Sequence, residues 1–255
     1  MSTITALSVK DLRSQTNCPM LDCKQALIDA NGDFDIAKKL LRERLGSLDT
    51  TKPDNGSEGL IAVNLEYGIG NIRYCIVKIG TETDFSANNQ TVISGCQQLV
   101  ECPEIDDSII KDLRSSTGEN IVVREFENKT IQASDGSFYI HHNRKTASIV
   151  LFSGKVSDDV KKSIAMHIVA TTPSPICITP EEVPDSLIQN EREFFIKKAQ
   201  GKPQNIQDKI VEGGLNKFKS TLALNEQPLV MDSSKKVKDI LPDGVSIVHF
   251  VHWSI

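Results

Sequence analysis

Five histidines and six cysteines are the side chains with which this 255-residue sequence could do nucleophilic, acid–base or metal chemistry. His141 and His142 are adjacent, and neighbouring residues of a strand point to opposite faces, so the pair is not expected to share a metal. His249 and His252 fall on opposite faces of a strand by the same rule. Cys18 and Cys23 lie near each other without a histidine or second cysteine pair to complete a zinc site. Most of the remaining cysteines sit inside apolar patterns, and no base is placed beside any of them. Gly68-Ile69-Gly70 has the start of a dinucleotide loop but lies in a hairpin pattern, and no GxxxxGK[ST] phosphate loop is present. The expectation is a chain that is not an enzyme, with no cofactor and no metal.

The sharper signals are those of contact. In Gly80-Thr81-Glu82-Thr83-Asp84-Phe85 an aromatic stands in the first turn after a strand, either facing solvent or stapled onto its own helix. Met20-Leu21 puts two large apolar residues at a helix start. Only Met20 lies on the apolar stripe, which leaves Leu21 as an exposed contact or as packing beside the core. His167 follows Met166 on an amphipathic helix, where a histidine at the core edge is the ordinary reading.

Residues 1–45 read as three short helices. Thr5 caps the first, with Ala6, Val9 and Leu12. Pro19 suits the first turn of the second, with Met20, Cys23, Leu27 and Ala30. Asp33 caps the third, with Ala37, Leu41 and Leu45. Residues 46–58, with Pro53 and Asn55-Gly56-Ser57, read as a linker. The period then changes to two. Ile61, Val63 and Leu65 alternate as in a half-buried strand, Tyr67 to Asn71 is a turn, and Ile72 to Ile79 returns. Thr83-Asp84 starts a helix expected to carry Phe85, Val92, Cys96 and Leu99 on one side. A helix near 105–113 and a strand near 120–126 complete a first core unit over 59–133. A second unit, 134–179 with 221–255, repeats the plan with strands at 138–141 and 146–152, a helix at 157–170 and a strand at 245–251. Between its halves, 180–220 reads as two helices around Gly201-Lys202-Pro203, an antiparallel hairpin, with a bend or fraying expected at Gly213-Gly214. The fold class is α+β: a three-helix N-terminal module, a two-part α/β core with antiparallel sheets, and an inserted helical hairpin.

Bulk numbers narrow the partner. A formal charge of −5 disfavours grasping long nucleic acid, which needs a basic footprint, and points instead to protein surfaces. No apolar run reaches the roughly 18–20 residues needed to span a bilayer, and the N-terminus lacks the pattern of a secretory signal. Unpaired cysteines suit the cytosol, so a cytoplasmic chain is expected.

The same segments, in order along nearly the whole chain, resemble the elongation factor Ts family. Val9-Lys10-Asp11-Leu12-Arg13, Thr16 and Met20-Leu21-Asp22-Cys23-Lys24-Gln25-Ala26-Leu27 look like its N-terminal signature. Thr83-Asp84-Phe85 is similar to its T-D-F motif, Gly118-Glu119-Asn120-Ile121 to its G-E-N-I element and Ile164-Ala165-Met166-His167-Ile168-Val169-Ala170 to its I-A-M-H-x-A-A helix. Gly201-Lys202-Pro203, Val211-Glu212-Gly213 and Gln227-Pro228-Leu229-Val230-Met231 follow. The resemblance implies a UBA-like N-terminal module and a partner, the GTPase elongation factor Tu, from which GDP release is promoted during translation elongation. It implies contact roles for Asp84 and Phe85 near the partner's magnesium and phosphate site, with His167 supporting that contact. Arg13, Met20 and Leu21 match positions that meet the GTPase domain, and Val230 and Met231 match a patch on a more distant part of the partner. A homodimer through the hairpin is a further possibility of the resemblance. The alternative function is a non-exchanging subunit that binds the GTPase and recruits it into a larger, RNA-synthesising complex. Departures lie in Asn17-Cys18-Pro19, in Ser86 after Phe85 and in Gly214-Leu215-Asn216. Contacts from the C-terminal helical module of the best-known members, beyond Ser254-Ile255, are not expected.

Overall fold

The computed structural model describes residues 4–16, 18–46 and 58–255; most of the expected linker and the side chain of Leu45 fall outside the described residues. Three helices come first: α1 (Ala6–Thr16), α2 (Met20–Asp29) and α3 (Phe34–Gly46). Local chemistry sets their starts. Thr5 Oγ1 accepts from the Ser8 N–H at 3.1 Å and Asp33 Oδ1 from the Ile36 N–H at 3.0 Å, satisfying orphan donors of the first turns. Pro19 sits one position before α2 rather than in its first turn, its carbonyl accepting from the Cys23 N–H. Leu12, Cys23, Ala26, Leu27, Ala37 and Leu41 form a core of their own. Met20, expected on that stripe, is instead about half exposed.

Two three-stranded antiparallel sheets follow. The first has order β1 (Gly59–Tyr67), β2 (Ile72–Gly80), β3 (Val122–Ile131); the second has order β4 (Asp135–Ile140), β5 (Thr146–Phe152), β6 (Ile247–Ser254). Between β2 and β3 run α4 (Asp84–Ala87), α5 (Gln90–Glu101) and α6 (Asp107–Thr117); α7 (Asp158–Ala170) follows β5. The molecule stacks in four layers. Leu60, Ala62, Cys75, Val77 and Ile79 turn toward α5 and α6, while Ile61, Val63, Ile72, Tyr74 and Ile76 turn toward Ala147, Ile149 and Leu151 of the second sheet. Val150 and Phe152 use the other face of β5 to meet Ile164 and Ile168 of α7. The expectation of a half-buried β1 is therefore corrected: Leu60 to Val63 are buried on both faces, because helices cover one and the second sheet the other.

Three further expectations change. The single helix after Thr83 is two, since Asn89 caps α5 by accepting from the Thr91 N–H at 2.8 Å, and Phe85 does not share the side of Val92, Cys96 and Leu99. The hairpin is α8 (Asp185–Ala199) and α9 (Gln204–Leu222), and α9 runs unbroken through Gly213-Gly214. A Cβ on Gly214 would lie 2.5 Å from the Phe195 ring, so that glycine admits α8 rather than bending α9. His141 and His142 do not diverge. β4 ends at Ile140, and the following turn brings their rings to 4.3 Å. No helix among the described residues is long and apolar enough to cross a membrane.

Candidate interaction site

The sequence-predicted contact residues gather into two regions. The first is built on Thr83. Its Oγ1 accepts from the Ser86 N–H at 3.2 Å, capping α4, and donates to Glu119 Oε1 at 2.6 Å. The Thr83 N–H also donates to Glu119 Oε2 at 3.2 Å, and Asn88 Nδ2 donates to the Asp84 carbonyl at 2.9 Å. Ser86 and Ala87 are buried beneath the turn, so the backbone is held on both sides. What it holds points outward: Asp84 is exposed, and Phe85 is 84% exposed. The staple reading is thereby excluded, because Phe85 covers little of its own helix.

The chain just before Glu119 comes close to the N-terminal helices. The preceding Gly118 takes the left-handed conformation that ends α6 (φ 71°), and a Cβ there would lie 3.3 Å from the Pro19 ring. Pro19 leads directly into Met20 and Leu21, and Leu21 is 80% exposed, which removes the reading of it as packing beside the core. Arg13 is exposed in the last turn of α1, where its charge suits the helix dipole. Arg42 completes the attachment by gripping Asp112 of α6, Nε to Oδ1 at 2.7 Å and Nη2 to Oδ2 at 2.8 Å. Both partners are more than half exposed, so this pair adds at most ~1 kcal/mol, and packing of α3 on α6 carries the rest.

The second region surrounds His167. Its ring is fully buried; Nε2 lies 3.1 Å from Gln227 Oε1, and Nδ1 accepts from the Val230 N–H at 3.3 Å. A backbone N–H can only donate, so Nδ1 carries no proton and the neutral Nε2–H tautomer is the one that fits. Burial holds the His167 pKa below the ordinary histidine value, which favours this neutral state. The chain leaving Gln227 turns tightly: the Leu229 N–H donates to the Lys235 carbonyl, and the Val237 N–H to the Gln227 carbonyl. Glu226 pairs with Lys236 and Lys238 at 2.6 Å each, and these two cations draw its carboxyl below the usual range. Val230 and Met231, the latter 71% exposed, stand at the tip. Beside them opens a cleft of about 380 Å³ walled by Tyr139, Met166, Val169 and Ala170.

The sequence reading has His167 supporting the Asp84–Phe85 contact. Its hydrogen bonds run instead to Gln227 and Val230, and being buried it offers no surface of its own. Glu119 and Gln227, which do the holding in the two regions, carried no assigned role. Each is a polar residue beside a sharp turn, and only its distant partner reveals the task.

Several other chemistry-bearing side chains are held inside the fold. Tyr74 OH donates to Glu127 at 2.5 Å, which obliges His249 Nε2, 2.9 Å away and stacked on the ring, to donate to the same oxygen. Burial pushes the thiols upward, Cys75 to about 11 and Cys96 to about 12, so neither presents a thiolate. Among the described residues no three of His, Cys, Asp and Glu converge as metal ligands.

Comparison with known proteins places this architecture. Residues 99–255 match the family described as "Elongation factor TS". Elongation factor Ts of Methylobacillus flagellatus is 32% identical, with 100% of this chain and 93% of the relative aligned. Elongation factor Ts of Thioalkalivibrio sulfidiphilus is 32% identical over 99% of the chain and 92% of the relative, and that of Vibrio vulnificus 32% over 99% and 91%. With this extent of identity, and two antiparallel sheets preceded by three helices, the chain belongs to the elongation factor Ts family.

Proposed function

We propose that this chain binds elongation factor Tu and promotes release of its GDP. One observation carries the reading: Phe85 is exposed on a backbone that Thr83, Glu119 and Asn88 immobilise, so the ring is presented at little entropic cost. In the family the T-D-F turn enters the GTPase near its magnesium and phosphate site, and Asp84 and Phe85 are the matching residues here. The thermodynamics are those of linkage. A protein that binds the nucleotide-free GTPase more tightly than the GDP form weakens GDP by the same factor. An aromatic wedge that displaces the magnesium ligands removes the largest favourable charge beside the diphosphate. No group need be transferred by this chain for that to happen. Val230 and Met231 form the second contact, and Arg13, Met20 and Leu21 the third.

The test is release of labelled GDP from elongation factor Tu with this chain at substoichiometric concentration. Acceleration of turnover bears the proposal out. A stable complex without acceleration sinks it in favour of a recruiting subunit.

A further inference from the structure

The second contact region rests on a buried device that extends beyond the residues matched to the family's contacts. Gln227 is 3% exposed, and its amide is fully engaged: Oε1 faces His167 Nε2 at 3.1 Å, while Nε2 donates to the Pro173 carbonyl at 3.0 Å and the Thr221 carbonyl at 2.7 Å. The orientation is forced, since a flipped amide would set its oxygen against two carbonyl oxygens. Three separate pieces of chain thus meet on one side chain: α7 through His167, the turn after α7 through Pro173, and the last turn of the hairpin helix α9 through Thr221. His167 then passes the constraint on, because its Nδ1 receives the Val230 N–H.

We infer that Gln227 is a positioning residue that couples the base of the helical hairpin, by way of His167, to the loop presenting Val230 and Met231. Were the hairpin base to shift, Thr221 would pull on the Gln227 amide, the amide on the imidazole, and the imidazole on the Val230 backbone. Burial of the ring favours its neutral form, the form the relay needs. The inference rests on the proposed reading of Val230 and Met231 as a contact patch.

A double-mutant cycle in the GDP-release assay, using the full chain and elongation factor Tu, tests it. Gln227→Ala is expected to raise the half-saturating concentration about tenfold while leaving the maximal rate within about twofold. The double variant with Met231→Ala should stay near the effect of Gln227→Ala alone, because both act on one patch; combined with Phe85→Ala the effects should multiply. Multiplication with Met231→Ala, or a loss confined to the maximal rate, overturns the inference. If Gln227→Ala lacks a cooperative melt, Gln227→Met is put through the same cycle. Nitrogen NMR of the wild-type imidazoles adds a readout of the relay itself: His167 should hold its proton on Nε2, and a proton on Nδ1 overturns the inference. Met231→Ala without effect on the half-saturating concentration removes the patch reading, and the inference with it. That outcome is distinct from a patch that matters but is independent of Gln227.

Discussion

The Phe85 turn and the Val230–Met231 loop are both exposed apolar points on polar scaffolds, yet they are built in opposite senses. Phe85 projects from a four-residue helix, and the bonds that fix it, from Thr83 and Glu119, lie near the surface. Val230 and Met231 flank a cleft, and their support is a buried imidazole and amide. A convex aromatic on a rigid turn is shaped to enter a partner and displace something. A concave apolar cleft with a flexible methionine at its lip is shaped to receive and hold. We propose that the first region disturbs the partner and the second anchors it.

The largest effect expected from that division is on Phe85. A phenylalanine buried in a partner contributes roughly 1.5–3 kcal/mol. Phe85→Ala should therefore slow assisted GDP release by about 10- to 100-fold. Because the ring makes no core cavity, the melting temperature should stay within about two degrees of wild type. A mutant that melts well below wild type but exchanges normally would reverse the assignment.

Removal of residues 1–45 comes next. We propose that they form a separable module, since their core is self-contained and their ties to α6 are a half-exposed ion pair and surface packing. The truncated chain should still melt cooperatively and bind elongation factor Tu about tenfold more weakly. Loss of the cooperative transition would show that the division is wrong. Met231→Ala should do less. An anchor lost from one lip of a cleft is expected to raise the half-saturating concentration about threefold and to spare the maximal rate. A fall in maximal rate instead would blur the distinction between anchor and wedge.

The smallest effect concerns pH. His167, His249 and His252 all have pKa values lowered by burial. Their unfolded forms therefore bind protons first as pH falls. The stability they contribute is complete above the unfolded histidine pKa of about 6.5 and declines as pH drops through it toward the folded values. Glu226 has the same sign lower down, its clasp being present above the unfolded carboxylate pKa and lost as pH falls through the lowered folded one. Melting temperature should drop between pH 7.5 and 5.5. His167→Gln should flatten part of that slope and weaken partner binding, without changing the maximal release rate. An unchanged slope would mean that the His167 relay does not titrate as its burial implies.

Much of this was legible in the chain itself. Thr5 and Asp33 announce α1 and α3, because capping is a contact over three residues and short-range chemistry decides it. The alternation around Ile61 and along Ile72–Ile79 reveals strands because the pleat has a period of two. The type and order of most elements follow from rules of the same reach, whereas local rules left the exposure of Leu21 and Phe85 open and packing settled it. Tertiary structure decided what depends on neighbours remote in sequence. β1 is buried on both faces because a second sheet, formed by residues 135–254, lies against it. The glycine at 214 within the unbroken α9 makes room for the Phe195 ring of α8. His167 is buried because a loop about sixty positions away folds over it, and that loop is held by an amide answering to Pro173 and Thr221. Periodicity fixes which face of an element is apolar. Which surface covers that face, and which polar atom meets a buried ring, is settled only when distant segments pack together.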